Sequence, residues 1–212
     1  TGRRFGNHDK IGKLIRTGRL NLARKVAVTG PKAIDPAYVD ALPGISMKDI
    51  AEFYDNSAND IRFISGDVLT GKNVGPDGSL GFFDNQVTLI HEGTERELLG
   101  WAKPFRFGKF SSSRTYFSWL CSKKTYDMDT NVNGGPRAFV MSDVYSKVLP
   151  MDIFPVYLIK ACLAGDIDKM EKFGIYEVLP EDLALCEYVD PSKNDIQVII
   201  EKGIDLMIKE MA

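Results

Sequence analysis

The apolar residues of this chain follow two different periods, and this change of period is what most restricts its fold. Short β-branched or alternating runs occur at 24–29 (RKVAVT), 60–65 (DIRFIS) and 86–90 (QVTLI), as is typical of strands. Between the first two runs, 46–54 (SMKDIAEFY) has a serine cap and apolar residues at helical spacing. The pattern predicts a compact α+β unit, a small half-open sheet around one helix.

The last third of the chain has the period of helices. Three short helices are predicted, begun by Pro155, Asp166 and Pro180 and ended, for the first two, by Gly165 and Gly174.

A longer final helix is predicted to follow. Ser192 with Asp195 three residues later resembles a capping box. The apolar stripe of this helix consists of Ile196, Ile199, Ile200, Ile204, Met207 and Met211. We expect the stripe to seat the final helix on the three short ones.

Composition limits the class of protein. The 212 residues are 44% hydrophobic, with 27 basic against 29 acidic side chains, which excludes a general polyanion binder. An odd count of three cysteines fits reduced thiols in a cytosolic compartment. No run reaches the roughly 20 apolar residues of a transmembrane helix, so we expect a soluble chain. It begins at Thr1 rather than Met, as a fragment would.

Residues 98–126, called the belt below, combine aromatic and basic side chains without a single acidic one. The basic residues are Lys103, Arg106, Lys109, Arg114, Lys123 and Lys124. Such a segment could bind single-stranded nucleic acid, anionic headgroups or a protein partner, or simply turn its aromatics inward. We favour partner docking, with Trp101, Phe105, Phe107, Phe110, Arg114 and Trp119 as candidates.

The sequence contains no recognisable catalytic arrangement. His8 and His91, the two histidines, lack a partner at metal-ligand or nucleophile spacing. Ser65 lacks the glycine two residues before it that a nucleophile elbow needs. Glycine-rich turns near Lys72 and Arg137 are weak anion-site candidates. We therefore predict no catalytic, metal or cofactor-binding residue.

The run 184–193 (ALCEYVDPSK) is similar to the end of an iron–sulfur ligand motif. Such motifs close with cysteine, three spacers, a second cysteine and proline. Here Cys186 is followed by Asp190 and Pro191, and one thiolate cannot hold a cluster that needs four ligands. Cys186 on an amphipathic helix is more commonly a small core residue. The alternative interpretation is a former redox segment that now serves docking.

Several stretches of the chain together carry a family resemblance: IGKLIRTGRL, RFISGDVLTG, DNQVTLIHEG, ELLGWAKP, FSSSRTYFSWL, NGGPRAFVM, VLPMDIFPVYLIKACLAGDID, GIYEVLPEDLALCEYVDPSK and GIDLMIKE. They resemble the NqrA family, a component of the bacterial sodium-translocating NADH:quinone reductase whose members are about twice as long as this chain. The chain resembles the C-terminal half of that family from about Ile11 to its end.

The resemblance implies a lead-in at 1–22, a β-grasp-like, soluble-ligand-binding module at 23–145 and, at 146–212, a helical domain like those that carry cluster cysteines. The family is similar to the flavin-binding subunit of respiratory complex I but lacks its flavin and cluster. Asp190 departs from relatives with cysteine there, which argues against a redox role.

The resemblance also implies a peripheral subunit on the cytoplasmic face of the bacterial inner membrane, without a transmembrane segment. Its partners would be the membrane-embedded B subunit, the other pump subunits and quinone. The complex uses NADH, flavins, an iron centre, quinone and Na⁺, none of the cofactors being held by this chain. The alternatives are a free-standing β-grasp module that binds a small ligand and a nucleic-acid binder, which we do not favour.

Overall fold

The structure is a computed structural model that describes residues 2–54, 60–95, 97–103, 105–111, 114–121, 123–135, 137–140 and 143–211. For residues 2–9, 51, 52 and 101 it describes the backbone alone. The described residues form two compact units, 1–94 with 127–131 and 95–126 with 132–212. This grouping assigns the belt to the helical unit, whereas the sequence-based division put 23–145 in one domain.

The first unit is a five-stranded mixed sheet. Its strands are β1 (Arg24–Thr29), β2 (Ala37–Ala41), β3 (Ile61–Ser65), β4 (Lys72–Asn73) and β5 (Gln86–His91), in the order β2-β1-β5-β3-β4. β1 is antiparallel to β2 and parallel to β5, while β3 is antiparallel to both β5 and β4. Helix α1 (Gly2–Thr17) precedes the sheet.

The inward faces of the central strands supply the core of this unit. Val26 and Val28 of β1 and Val87 and Leu89 of β5 are fully buried. The predicted strands at 24–29, 60–65 and 86–90 are confirmed to within one residue. β2 and β4 were not predicted, because neither carries a strong alternating apolar run.

The predicted helix at 46–54 is a short 3-10 helix, Met47–Phe53, with a kink at Ile50. Met47 and Ile50 are both buried in the core of the sheet. The apolar spacing therefore gave the correct buried face although the backbone is wound more tightly than an α-helix. The α+β class is confirmed.

The second unit carries the helices. They are α2 (Pro155–Ala164), α3 (Ile167–Lys172), α4 (Ala184–Val189) and α5 (Ile196–Met211). Short 3-10 helices occupy Gly100–Ala102, Phe117–Leu120, Tyr145–Lys147, Ile175–Glu177 and Pro180–Leu183. None of the described helices is long and apolar enough to cross a membrane.

The boundary between α2 and α3 follows the predicted signals. Gly165 has a left-handed backbone with φ of 66° directly after α2, where a side chain would be strained. The Asp166 carboxylate then accepts the Lys169 backbone N–H at 3.1 Å, as an N-cap does. The predicted stop at Gly165 and start at Asp166 are both confirmed.

The final helix begins at Ile196, so Ser192 is not its N-cap and the predicted capping box is wrong. Ile196 and Ile200 are fully buried and Met207 nearly so, and Ile199 and Ile204 pack against the same core, which confirms most of the predicted stripe. Met211 is exposed because it lies in the last turn of α5.

We predict that Ile200→Lys abolishes cooperative folding of the helical unit, because it forces an ammonium group into a fully buried site. The expected loss is about 4 kcal/mol or more. Val198→Lys, at an exposed position of the same helix, should change the free energy of unfolding by no more than about 0.5 kcal/mol. Urea denaturation of both variants checks this. Equal unfolding midpoints of the two variants would contradict the burial of the apolar stripe of α5.

Candidate functional site

The belt has a buried scaffold. Tyr116 is nearly fully buried, and its hydroxyl donates to the Gly100 carbonyl at 3.1 Å. The Arg106 guanidinium lies 5.6 Å from the Tyr116 ring centroid, a distance at which the cation attracts the ring face. The same guanidinium donates to the Asn133 side chain at 2.8 Å and to the Glu97 carboxylate. These contacts hold the first part of the belt, from Gly100 to Tyr116, in place.

Charge is unevenly distributed over this scaffold. Glu97 is the acidic partner of Arg106 and also of Lys103, which is mostly exposed. Lys124 donates to the Phe107 carbonyl at 2.7 Å. No acidic residue occurs within 98–126, and Glu97 at the border of the belt pairs with two of its cations. The belt surface is therefore basic.

The apolar side chains of the belt are largely directed to solvent. Phe105 is 77% exposed, Trp119 is 50% exposed, and Phe107 and Phe110 are close to half exposed. Phe105 packs edge-to-face on Phe117 with ring centroids 5.6 Å apart. Adjacent rings thus form exposed pairs, a composition that marks interaction sites more often than ordinary surface.

Arg114 is exposed and lies over the Trp119 ring, with its guanidinium carbon 5.9 Å from the ring centroid. Its backbone has a positive φ of 58°, which a non-glycine residue adopts rarely. The side chain of Trp101, the remaining predicted docking residue, lies outside the described residues. Five of the six predicted docking residues are exposed.

Besides the belt, the helical unit contains a second notable feature, the buried carboxylate of Asp190. Asp190 is fully buried directly after α4. One oxygen accepts from the Tyr145 hydroxyl at 2.9 Å and from the Ser192 backbone N–H at 3.1 Å. The other accepts from the Asn194 backbone and side chain at 2.8 and 3.0 Å. Four donors satisfy both carboxylate oxygens, and they fix the turn before α5.

Tyr145 is the residue of this polar centre that lies farthest from Asp190 in the sequence. It is fully buried, and burial followed by the hydrogen bond to Asp190 raises the pKa of its hydroxyl far above the ordinary value of 10.0. The hydroxyl therefore stays protonated and keeps donating. The sequence analysis missed Tyr145, because it lies 45 residues before Asp190 and no local pattern links the two.

Cys186 belongs to the apolar core of the helical unit, together with Leu183 and Ile200. Its burial raises the pKa of the thiol to about 11. Burial therefore favours the neutral thiol over the thiolate at neutral pH. Among the described residues no three His, Cys, Asp or Glu side chains lie close enough together to hold a metal ion. Cys186 acts as a small apolar core residue.

His91 and Ser65, which were also weighed in the sequence, belong to the sheet unit. Nδ1 of His91, at the end of β5, is 2.6 Å from the Asp60 carboxylate. The Ser65 hydroxyl donates to Asp84 at 2.6 Å and accepts from the Gly81 N–H. Both side chains are engaged in local contacts within the sheet unit.

Comparison with known proteins gives consistent similarities. Residues 25–75 match the family model described as NQRA C-terminal domain. Over 210 residues the chain is 39% identical to the A subunit of the Na(+)-translocating NADH-quinone reductase of Shewanella frigidimarina (strain NCIMB 400), covering 97% of this chain and 47% of that protein. The A subunit of the Pasteurella multocida (strain Pm70) reductase is 38% identical over 94% of this chain and 44% of its own length.

A third relative, the A subunit of the Vibrio alginolyticus reductase, is 36% identical over 94% of this chain and 45% of its own length. The chain thus spans about half the length of the curated relatives that it matches. The similarity covers residues of both units, since it includes nearly all of the chain.

We predict that Asp190→Ala lowers the free energy of unfolding by about 3 kcal/mol, because Tyr145 loses its buried partner and the turn before α5 loses its acceptor. Glu201→Ala, at an exposed position on α5, should change the free energy by no more than about 0.5 kcal/mol. Chemical denaturation measures both, and equal stability of the two variants would contradict the role of Asp190.

Proposed function

We propose that this chain works as a peripheral, cofactor-free part of a Na(+)-translocating NADH-quinone reductase. The chain is a homologue of NqrA, the A subunit of these pumps, and spans about half of its length. Its role is to dock on the other subunits and to bind quinone. NADH oxidation and the flavin and iron chemistry belong to the other subunits. Its place is the cytoplasmic face of the membrane, on the membrane-embedded B subunit.

The observation that carries this proposal is the extent of the similarity. Identity of 39% over 210 residues includes the sheet unit, the belt and the helical unit together. A ligand-binding module reused in an unrelated protein would be similar over the sheet unit only. The whole chain is therefore proposed to do what the corresponding part of NqrA does.

For the sheet unit we propose a β-grasp-like fold. Its support is the strand order β2-β1-β5-β3-β4, with a parallel central pair and a helical segment between β2 and β3. Met47 and Ile50 of that segment are buried against the sheet, as the helix held by a β-grasp sheet should be.

For docking we propose the belt. Exposed aromatic rings supply large contact areas at low entropic cost, and the buried Arg106 and Tyr116 contacts hold them before a partner arrives. Arg114 over Trp119 pairs a cation with a ring, the two residue types most enriched at interface hot spots. A partner with an apolar centre and an acidic rim fits this surface.

We predict that Phe105→Ser combined with Trp119→Ser weakens association with the remaining pump subunits about a hundredfold, because two exposed anchors are lost. Leu163→Ser, an exposed apolar position on α2, is the matched control and should leave affinity unchanged. Binding is measured by titration of the purified subunits. Unchanged affinity of the double variant would contradict the proposal that the belt docks on the other subunits.

For quinone we propose an apolar groove of about 220 Å³ in the helical unit. It is lined by Ile175, Tyr176, Val178, Leu179, Ile204, Met207, Ile208 and Met211. Methionine and isoleucine side chains adapt to a ring and an isoprenoid tail. The Tyr176 hydroxyl, 2.7 Å from Glu171 and 3.7 Å from the Met211 sulfur, is the polar group of this groove.

We predict that Ile208→Arg weakens binding of a short-chain ubiquinone at least tenfold, because it introduces a charge into the apolar lining. Val198→Arg, at an exposed position of the same helix outside the groove, should not affect it. Equilibrium dialysis of the purified protein gives the affinities. Equal affinity of both variants would exclude the groove, and no binding by the unsubstituted protein would exclude the quinone role of this chain.

A further inference from the structure

The groove proposed for quinone has an apolar lining with a single hydroxyl. Ile175, Val178 and Met207 form its buried part, whereas Ile208 and Met211 are more than half exposed. Among the eight described residues that line it, only Tyr176 has a side chain that both donates and accepts strong hydrogen bonds. The hydrogen-bonding state of this hydroxyl therefore determines which polar group of a ligand the groove can match.

Buried neighbours fix the backbone that carries this hydroxyl. Tyr176 lies in a 3-10 helix between Ile175 and Val178, and both of these residues belong to the core of the helical unit. Glu171 is fixed in a similar way, since it follows the fully buried Met170 in α3. The core of the helical unit thus places the phenol and the carboxylate next to each other.

The single proton of the Tyr176 hydroxyl is donated to Glu171. The hydroxyl oxygen is 2.7 Å from the Glu171 carboxylate and 3.7 Å from the Met211 sulfur, and a carboxylate is a far stronger acceptor than a thioether. The same hydrogen bond raises the pKa of the Tyr176 hydroxyl above its ordinary value of 10.0, so the hydroxyl stays protonated at neutral pH. With its proton engaged, the phenol oxygen offers a ligand lone pairs that accept.

We infer that the groove binds the reduced form of quinone, the quinol, more tightly than the oxidised form, because Tyr176 offers an acceptor. A quinol carries O–H groups that donate, whereas the carbonyl oxygens of a quinone only accept. A quinone would have to draw the Tyr176 proton away from Glu171, and a site matched to a ligand hydroxyl discriminates against a ligand that lacks it.

This inference rests on the proposed function, since it takes quinone binding in the groove as given. Reduction of a quinone yields a quinol, so the quinol is the product of a NADH-quinone reductase. A groove with an acceptor at its polar point therefore belongs to the product side of the reaction.

The test is anaerobic equilibrium dialysis of the purified protein against a short-chain ubiquinol and against the matching ubiquinone. The quinol should bind about fivefold more tightly, as one hydrogen bond formed at a solvent-accessible site contributes. Tyr176→Phe should weaken quinol binding about fivefold and leave quinone binding unchanged, so that the two affinities become equal. Its unfolding midpoint should not change, because Tyr176 is 60% exposed.

Glu171→Lys separates a role in hydrogen bonding from a role in packing. A lysine ammonium has donors and no acceptor, so the Tyr176 oxygen would accept from it and the tyrosine proton would be released to a quinone carbonyl. The preference should therefore be reversed, with the quinone bound more tightly than the quinol. Tyr188→Phe, at an exposed tyrosine of α4 outside the groove, is the matched control and should leave both affinities unchanged.

The remaining outcomes separate this inference from the proposed function. Equal affinity of the unsubstituted protein for the two forms, or tighter binding of the quinone, would overturn the inference while the proposed quinone role stands. A preference for the quinol that persists in Tyr176→Phe or in Glu171→Lys would overturn it as well. If the unsubstituted protein binds neither form, the proposed quinone role of this chain fails, and the inference fails with it.

Discussion

The buried Asp190 carboxylate is the interaction on which the helical unit depends. It ends α4, closes the turn before α5 and ties both to Tyr145. A buried charge costs several kcal/mol unless its oxygens are hydrogen-bonded. The carboxylate therefore needs its four donors, and the buried donors need the carboxylate as their acceptor. The same arrangement sets where α5 starts, and thereby directs Ile196 and Ile200 into the core. Next to it, Cys186 is buried as an apolar residue with a raised pKa. A segment similar to a cluster-ligand motif is here part of a packed core.

Both units hold exposed aromatic residues on backbone that buried polar groups fix. In the belt, Arg106 contacts Tyr116 and Glu97 while Phe105 and Trp119 stay exposed. In the sheet unit Arg24 and Ser65 do the same for the turn at 81–84, which carries the exposed Phe82 and Phe83. Guanidinium groups suit this task, because their donors diverge in one plane and reach several acceptors at once. The charge of these arginines is used inside the fold, while the rings beside them remain exposed.

Local signals predicted much of the fold. The alternation at 24–29 and 86–90, the glycine stop at Gly165, the cap at Asp166 and the stripe through Ile200 all depend on residues a few positions apart. The exposure of the belt aromatics could not be read in the same way, because a ring turned inward and a ring turned outward have the same spacing. β2 was not predicted, and the segment Met47–Phe53 was predicted as a regular helix although it is a kinked 3-10 helix. In both cases tertiary packing outweighs a weak local preference.

The sequence by itself determined the α+β class and the position of the four helices of the last third after the strands, because these follow from composition and short-range spacing. Only the tertiary structure decided which side chains complete the polar centres. Tyr145 reaches Asp190 across 45 residues and Arg24 reaches Gly81 across 57. Such pairings depend on the direction in which packed elements present their side chains, and no period along the chain records that direction.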